Sequence, residues 1–344
     1  MHKLSKKRKF FSSISYQLIK QISKYKGIGP TILLYHSVHT KKDKQSVSDD
    51  WSISKDEFEK HLRYISKHCI PVPVETISQC LRENEKLNPK WISITFDDGF
   101  RNVINNALPL LKKYEIPWTF CIPSHCIEEC RIPWQTEMSI INSLITNKKI
   151  KNDIIHIVES NVKVKVVEIE DDIKSLLRNQ IKPEKRYEII ETIKKYLSEN
   201  NINYKNHFYE MVNWQQLVDI KNDDSVDVSF AVHGGLHVPL QNNMSKDQMF
   251  FEIYQSKQLL EKMLGQCKNY SLVGGIYVKE SLDILIQAGY ENMLVSGESN
   301  NIINENNVII NENLVILPRI IGEYSIKDIQ LEIFNSKYYN QNIN

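Results

Sequence analysis

The stretch 91–100 constrains the fold more than any other part of this 344-residue sequence. Its first six residues, Trp91-Ile92-Ser93-Ile94-Thr95-Phe96, are mostly β-branched or aromatic, which predicts a buried strand. The run ends in Asp97-Asp98-Gly99, so two carboxylates follow the strand directly. Successive side chains of an extended chain point to opposite faces, and one site can therefore use Asp97 and Asp98 for different purposes. Taken alone, the motif is explained equally well as an ordinary turn between a strand and a helix.

Charge is distributed unevenly along the chain. Residues 1–42 contain ten of the 44 Lys and Arg residues and none of the 42 Asp and Glu residues. Nucleic-acid binding would require basic residues spread over the folded surface, so we expect no nucleic-acid partner. A basic segment fits contact with anionic lipid headgroups. We therefore interpret residues 1–29 as a basic N-terminal arm that contacts a membrane peripherally, or, as an equally good alternative, packs on the domain.

The location of the protein is predicted from the same segment. Residues 10–20 are too polar for the apolar region of a signal peptide, and no small-residue cleavage site follows. No apolar run approaches the roughly 20 residues that a membrane span needs. We expect a cytoplasmic protein, in contact with the inner membrane only at its periphery.

The six cysteines do not form the pattern of a disulfide framework. Cys121, Cys126 and Cys130 are close in sequence, but they lack the C-x2-C pairs of structural zinc sites. We expect the others to be small buried apolar side chains.

Short apolar runs alternate with helical patterns along most of the chain, which predicts a parallel sheet covered by helices. The strands are expected at 31–36, 91–96, 116–122, 226–232, 270–273, 293–295 and 315–320. Chemistry-bearing residues end or follow these runs: His36, Asp97, Asp98, His233 and Arg319. That arrangement is typical of a (β/α) barrel, although an open doubly wound sheet also binds ligands beyond its strand ends. The chain has no G-x-G-x-x-G motif and no P-loop. Residues of about 137–210 are mostly helical and charged, which predicts an insertion without catalytic residues.

His233 and His237 supply two imidazoles four residues apart, just after a predicted strand. One turn of helix would direct both rings to the same point. Two histidines and one carboxylate are a common ligand set for a catalytic divalent cation. The pair is weak evidence alone. Combined with Asp97-Asp98, it predicts that one aspartate completes a metal site and that the other deprotonates water.

These motifs together resemble the polysaccharide deacetylases with a NodB homology domain, carbohydrate esterase family 4. The resemblance rests on Thr95-Phe96-Asp97-Asp98-Gly99, Ile116-Pro117-Trp118-Thr119-Phe120, and His233-x3-His237 with Pro239. Further segments are similar to the branch that acts on bacterial surface and extracellular polysaccharides: Leu34-Tyr35-His36-Ser37-Val38, Pro133-Trp134, Asn213-Trp214-Gln215-Gln216-Leu217, Ala288-Gly289-Tyr290 and Leu317-Pro318-Arg319-Ile320. The resemblance covers residues 30–322, and residues 323–344 are interpreted as a C-terminal tail.

The resemblance implies a distorted, TIM-like (β/α) barrel of the α/β class. It also implies metal-dependent removal of N-acetyl groups from N-acetylhexosamine residues of a bacterial surface polysaccharide or its lipid-linked precursor. Asp97 would be the general base, and Asp98, His233 and His237 would be the metal ligands. Zn²⁺ is the expected ion, with Co²⁺, Mn²⁺ and Ni²⁺ as alternatives.

The remaining roles follow the same resemblance. His36 is the candidate general acid, with a structural histidine at a strand end as the alternative. Arg319 is expected to pair with Asp97 and keep it ionised, unless it is simply a surface arginine. Gly274 would supply an amide to the oxyanion hole. Tyr35 and Trp134 are the further candidates for contact with the substrate.

Three departures from the family pattern leave alternatives open. Gly234 stands where the family usually has Ser or Thr, and the segment 270–275 lacks the family's proline. No Leu-x-x-His-Asp segment supplies the usual acid histidine. A glycan-binding protein that kept the barrel and lost turnover is therefore one alternative. An O-acetyl esterase or a deformylase of the same family is another.

Overall fold

The structure is a computed structural model. It describes residues 30–43, 51–145, 148–161, 177, 181–202, 204, 208–241, 244–296, 309–311 and 314–330. The predicted arm 1–29 and most of the predicted tail lie outside the described residues. Within the described part, no helix has both the length and the apolar character to cross a membrane.

Seven parallel strands close into a barrel, which confirms the predicted fold. The described strands are β1 Thr31–Tyr35, β2 Ser37–His39, β3 Ser52–Ser54, β4 Ile70–Pro71, β5 Trp91–Phe96, β6 Trp118–Ile122, β7 Val228–Val232, β8 Asn269–Ser271, β9 Asn292–Ser296, β10 Ile309–Asn311 and β11 Leu314–Ile321. The order around the barrel is β1–β11–β9–β8–β7–β6–β5, and β5 closes the ring by pairing with β1. β4 and β10 extend this sheet at β5 and β11, while β2 and β3 form a separate parallel pair.

Helices follow most of the barrel strands. They are α1 Lys55–His68, α2 Val74–Arg82, α3 Leu108–Lys113, α4 Ser124–Glu128, α5 Trp134–Leu144, α6 Lys148–Asn161, α7 Pro183–Glu199, α8 Trp214–Lys221, α9 Lys246–Phe250, α10 Ser256–Leu264 and α11 Lys279–Gln287. π-helical segments at Val103–Ala107 and Phe251–Gln255 run directly into α3 and join α9 to α10. Ser54 caps α1, accepting a hydrogen bond from the Glu57 amide.

The alternation of side chains along each strand divides the core into two. One set points into the barrel, where it packs with two residues of α2: Ile32, Cys121, Ala231, Leu294, Val315, Leu317, Val74 and Ile77. The neighbouring residues along the same strands, such as Leu33, Phe96 and Phe120, pack outward against the helices. The same inward parity continues to His36, Asp97 and His233, which follow their strands, and it includes Arg319 within β11. The fold therefore directs these four residues to one end of the barrel.

Helices α5, α6 and α7 lie in the stretch predicted as a helical insertion, and α5 begins at Trp134, three residues before the expected start. Helices α5, α6 and α7 enclose a second apolar cluster that includes Met138, Ile154 and Ile190. Leu236, which lies in the loop after β7, packs against both this cluster and the main core. The insertion is thus in contact with the loop that carries the two candidate metal-binding histidines.

All six cysteines lie in the described part of the chain and are free. Cys121 and Cys126 are fully buried, whereas Cys130 is exposed. Within the described residues, the group of side chains that could hold a metal ion contains Asp98, His233 and His237 and no cysteine.

Candidate active site

The polar groups at the C-terminal end of the barrel converge on two neighbouring aspartates. Asp97 and Asp98 follow β5, and His233 follows β7. Ser271 is the last residue of β8, and Arg319 lies near the end of β11. All five are buried in the protein. In a (β/α) barrel this end is where binding and catalytic groups collect.

Asp97 is held by a complete set of hydrogen bonds. The guanidinium of Arg319 donates from Nη1 to Asp97 Oδ1 at 2.7 Å and from Nη2 to Oδ2 at 2.8 Å. Nη2 also donates to Ser271 Oγ at 2.8 Å, and that hydroxyl lies 3.2 Å from both carboxylate oxygens. A bidentate guanidinium fixes the plane of the carboxylate as well as neutralising it. Arg319 is 1% exposed and is therefore not a surface arginine.

The same contacts determine the charge of Asp97. Burial alone would raise the pKa of this carboxyl, but the charge of Arg319, followed by that of His233, holds its pKa well below the usual range. Asp97 is consequently ionised at every pH at which the protein would work. Its basicity is modest, but its protonation does not limit its use as a base.

Asp98 faces the opposite situation, because no hydrogen-bond donor among the described residues reaches its buried Oδ1. Instead, Oδ1 lies 2.9 Å from His237 Nε2 and 3.4 Å from His233 Nε2. The two Nε2 atoms are 3.1 Å apart. The three potential ligand atoms all lie within 4.8 Å of one another.

The hydrogen bonds of the two histidines leave both Nε2 atoms able to bind a cation together with Asp98. His233 donates its Nδ1–H to the carbonyl oxygen of Ser271 at 2.9 Å, and His237 donates its Nδ1–H to Gln135 Oε1 at 2.7 Å. With each Nδ1 carrying a hydrogen, each neutral ring presents the lone pair of Nε2. Two imidazole lone pairs and a carboxylate oxygen repel one another at these distances unless a cation lies among them. The residues therefore fit a divalent metal ion with two His and one Asp ligands.

The pKa shifts of the two rings differ in direction. Burial lowers the pKa of His237 even though Asp98 opposes the effect. For His233 burial also acts to lower the pKa, but the charges of Asp97 and Asp98 outweigh it and raise the pKa. One ring of the pair is thus kept neutral and available as a ligand.

The histidines are brought together by an irregular loop, and the predicted turn of helix is wrong. Gly234 has φ +72° and His237 has φ +56°, so the chain from 233 to 237 reverses through left-handed conformations. Asp98 is also left-handed, with φ +72°. Such conformations cost a non-glycine residue on the order of 1 kcal/mol and are concentrated at functional sites. The Gly234-Gly235 pair was the sequence signal for a loop.

His36 lies at the same end of the barrel, 12% exposed, and is bonded to a residue that the sequence analysis assigned to the tail. Its Nδ1 is 2.8 Å from Glu323 Oε1, which also accepts a hydrogen bond from the His36 amide at 2.6 Å. Burial acts to lower the pKa of His36, but the charge of Glu323, together with Asp98 and Asp97, raises it to about 9. His36 is therefore protonated at neutral pH, with Nε2 left to donate. The ring of Trp51 packs edge-on against it, with ring centroids 4.8 Å apart.

The side chains of two of the predicted substrate residues point away from the site. Tyr35 points outward, because it has the opposite strand parity to His36; it is fully buried and hydrogen-bonds His61 Nδ1 at 2.9 Å. Trp134 is fully buried in the insertion, where the Arg186 guanidinium lies 4.9 Å from its ring centroid. Neither side chain can contact a substrate. Gly274 is exposed in the turn after β8, and a Cβ added there would meet nothing within 4 Å.

Sequence reasoning missed four residues that support the site: Ser271, Gln135, Glu252 and Glu323. Each contacts a predicted site residue or its loop across 14 residues or more of sequence, for example Glu252 with the Leu236 amide. Burial raises the pKa of Glu252 to about 7, although the amides of Leu236 and Gly235 act to lower it. No local pattern marks these four positions, because a lone polar residue is usually solvated, whichever element it lies in.

The fold and this site define a (β/α)-barrel protein with a buried His-His-Asp group suited to a divalent cation. A model of the polysaccharide deacetylase family, described as "Polysaccharide deacetylase", matches residues 84–166 of this chain. This segment includes both Asp97 and Asp98. The putative polysaccharide deacetylase YxkH of Bacillus subtilis is 34% identical over 85 residues, 24% of this chain and 28% of that protein. The poly-beta-1,6-N-acetyl-D-glucosamine N-deacetylase of Staphylococcus aureus is 32% identical over 83 residues, 23% of this chain. That match also spans 28% of the relative's length.

Solved structures support the fold over nearly the whole chain. The Streptococcus pyogenes deacetylase PplD, in complex with acetate, has a TM-score of 0.55 at 16% identity, covering 90% of this chain and 99% of that one. IcaB from Ammonifex degensii has a TM-score of 0.53 at 15% identity, covering 91% of this chain and 98% of that one. At these identities the likeness establishes a shared barrel.

Proposed function

We propose that this protein is a metal-dependent hydrolase that removes N-acetyl groups from N-acetylhexosamine residues of a bacterial surface polysaccharide or its lipid-linked precursor. The observation that carries the proposal is the division of labour between Asp97 and Asp98. Asp97 is held by hydrogen bonds from Arg319 and Ser271. Asp98 instead lies beside His233 and His237, where a cation would balance the three electron-pair donors. This is the arrangement that hydrolysis of an amide needs: a base beside a metal site.

The chain's own residues supply the proton transfers. Asp98, His233 and His237 would hold the ion, which when bound supplies Lewis-acid stabilisation of the charge that develops on the carbonyl oxygen. Asp97 accepts a proton from the attacking water through Oδ2, the oxygen 3.7 Å from His233 Nε2. Arg319 keeps this carboxylate in place throughout. The exposed turn at Gly274 is the candidate for an additional amide donor to the oxyanion.

His36 is the group best suited to protonate the leaving amine. It is charged at neutral pH and its Nδ1 is engaged by Glu323, so Nε2 is the atom from which the proton leaves. A positive ion at the adjacent site would lower the pKa of His36 and make it a stronger acid. The alternative of a purely structural histidine predicts no dependence of the rate on its titration.

Acetate release tests the proposal. The full chain is loaded with Zn²⁺ or Co²⁺ and incubated with N-acetylglucosamine oligomers of the poly-β-1,6 type, since a relative is named for that polymer. We expect acetate release by the wild type and none by Asp98→Ala. Equal background release by both would contradict the proposal. Matched O-acetyl and N-formyl sugars, assayed in parallel, distinguish an amide deacetylase from an esterase or a deformylase.

The cytoplasmic location and the membrane contact of residues 1–29 remain predictions, because that segment lies outside the described residues. Deleting 1–29 would move the protein from the membrane fraction to the soluble fraction if the arm docks on anionic lipid. Fractionation that is unchanged by the deletion and insensitive to salt would dismiss the idea.

A further inference from the structure

Glu252 lies beneath the loop that carries the two histidines and is not part of the proposed chemistry. It is 3% exposed and belongs to the π-helical segment Phe251–Gln255. A π-helical turn shifts the following residues around the helix and is frequent at functional sites. Here it occurs where the helix carries a carboxylate toward the loop after β7.

The Glu252 carboxylate accepts hydrogen bonds from successive amides of that loop. The Gly235 amide donates to Oε2 at 2.7 Å, the Leu236 amide to Oε1 at 3.1 Å, and the Val238 amide to Oε2 at 3.4 Å. A buried carboxylate is costly unless it is hydrogen-bonded, and three amide donors of one loop provide those bonds. Every donor lies between or beside His233 and His237.

The carbonyl groups of the same loop accept hydrogen bonds from a different element, α4. The Gly234 carbonyl accepts from the Ser124 amide at 3.2 Å, and the Gly235 carbonyl accepts from the His125 and Cys126 amides at 3.1 Å each. These amides belong to the start of α4. Glu252 is therefore the complement of α4: one holds the amides of the loop and the other holds its carbonyls.

Gly234 and Glu252 are fitted to each other. A Cβ added at Gly234 would lie 2.5 Å from Glu252 Oε2, closer than any side chain can approach. A Cβ at Gly235 would lie 2.8 Å from Cε1 of Phe251, the residue preceding Glu252. The absence of a side chain at 234 is thus what admits the carboxylate. This accounts for glycine at a position where the family usually carries a hydroxyl.

We propose that Glu252 is a positioning residue for the metal site, which fixes the loop so that Nε2 of His233 and Nε2 of His237 converge, and that Gly234 is its obligatory partner. The proposal rests on the proposed metal site. It concerns ligand geometry, since Glu252 touches neither the reacting atoms nor a ligand ring.

The test measures metal affinity and loop order separately, in the full chain. Zn²⁺ affinity is obtained by competition with a chromophoric chelator for wild type, Glu252→Ala, Glu252→Gln and the exposed control Glu280→Ala. We expect Glu252→Ala to bind Zn²⁺ about 10- to 100-fold more weakly, the range found when a group that orients metal ligands is lost. Glu252→Gln, which keeps one accepting oxygen, should be intermediate, and Glu280→Ala should match the wild type.

Amide hydrogen exchange in the metal-free protein provides the second readout. In Glu252→Ala the amides of Gly235, Leu236 and Val238 should exchange faster, while amides of β5 keep wild-type protection, which also shows that the barrel is folded. If the wild type binds no Zn²⁺, the proposed function is wrong. The exchange rates alone would then show whether Glu252 orders the loop. Wild-type affinity and wild-type amide protection in Glu252→Ala would overturn the inference alone.

A double variant tests the fit between the two residues. Gly234→Ser alone should weaken Zn²⁺ binding, because its side chain meets the carboxylate and because φ +72° at this position disfavours any side chain. In Gly234→Ser/Glu252→Ala that space is open, so the loss should be smaller than the product of the two single losses. Losses that simply multiply would show that Gly234 and Glu252 act independently, which contradicts the pairing.

Discussion

Asp97 and Asp98 are adjacent in sequence and equally carboxylate, yet their surroundings are opposite. Each oxygen of Asp97 meets donors at fixed positions, from Arg319 and Ser271. Asp98 Oδ1 meets two imidazole nitrogens and no donor among the described residues. A site with all its hydrogen bonds made is complete as it stands, whereas a site of converging lone pairs is complete only with a cation. Asp97 keeps the inward parity of β5, whereas Asp98 turns out of the strand with φ +72°, so one dipeptide supplies both groups.

The backbone conformations of Asp97 and Asp98 also differ. Asp97 continues β5, and its amide donates to the Tyr35 carbonyl at 2.8 Å in the ladder with β1. Asp98 leaves the strand with φ +72°, and His237 on its partner loop is left-handed as well. The proposed base is therefore built on regular structure, and two of the proposed metal ligands lie on strained turns that other residues must hold in place.

The largest expected effect comes from substituting the two aspartates separately. Asp98→Ala should lose both bound metal and activity, because it removes a ligand. Asp97→Asn should keep the metal and lower the rate by about 100- to 10,000-fold, the usual contribution of general acid–base catalysis. Metal content by elemental analysis and acetate release measure the two effects.

The exposed Asp283→Asn serves as the control for both variants and should behave as wild type in both measurements. Loss of metal in Asp97→Asn would show that both aspartates bind the ion. The division of labour would then be wrong.

Arg319→Met should be the most destabilising change on the base side. It leaves Asp97 buried without its partner, and breaking a buried ion pair in this way costs about 3–5 kcal/mol. The pKa of Asp97 should rise, because burial would no longer be opposed by the guanidinium. The acid limb of kcat/KM should therefore move to higher pH.

Chemical denaturation and a pH–rate profile check both expectations. Arg63→Met is the matched control, since its pair with Glu59 is exposed at 3.9 Å and should contribute about 0–1 kcal/mol. An unchanged acid limb in Arg319→Met would mean that the ionisation of Asp97 does not depend on Arg319.

A smaller effect on the rate, confined to alkaline pH, is expected from changing Glu323, the partner of the proposed general acid His36. Glu323 raises the pKa of His36 to about 9, so Glu323→Gln should lower that pKa toward its ordinary value. At pH 8 the variant should be up to about tenfold slower, because less of His36 would remain protonated than in the wild type, whereas at pH 6 the two proteins should be similar. The alkaline limb of the pH–rate profile gives the measurement.

Stability should follow the same titration. With a raised folded pKa, the His36–Glu323 pair contributes stability that is fully present below the ordinary histidine pKa of about 6.5 and is lost as the pH rises through about 9. Glu323→Gln should remove this pH-dependent part of the unfolding free energy. Identical pH–rate profiles for wild type and variant would leave His36 as a structural histidine.

The barrel and the ligand set could be predicted because each depends on local patterns. The strand at 91–96, the alternation of strands and helices, and the Asp-Asp and His-x3-His motifs are all visible within short windows. The partners of those residues are not, because Gln135, Glu252 and Glu323 reach the site from distant elements and have no periodic signature. Tyr35 was assigned to the substrate although its strand parity is opposite to that of His36, and its side chain packs outward against His61.

The smallest expected effect on metal binding comes from changing Gln135, a residue of α5 that contacts the proposed metal ligand His237. Its Oε1 accepts the His237 Nδ1–H at 2.7 Å and its Nε2 donates to the His237 carbonyl at 3.2 Å, so one side chain fixes both the ring and its backbone. Gln135→Ala should weaken Zn²⁺ binding by about tenfold, the low end for such orienting groups, since Asp98 and the loop amides still restrain the ligands. Gln135→Glu should restore affinity, because a carboxylate accepts the same Nδ1–H. Rescue by Glu but not by Leu would identify ring orientation as the cause, whereas wild-type affinity in Gln135→Ala would confine the insertion to a packing role.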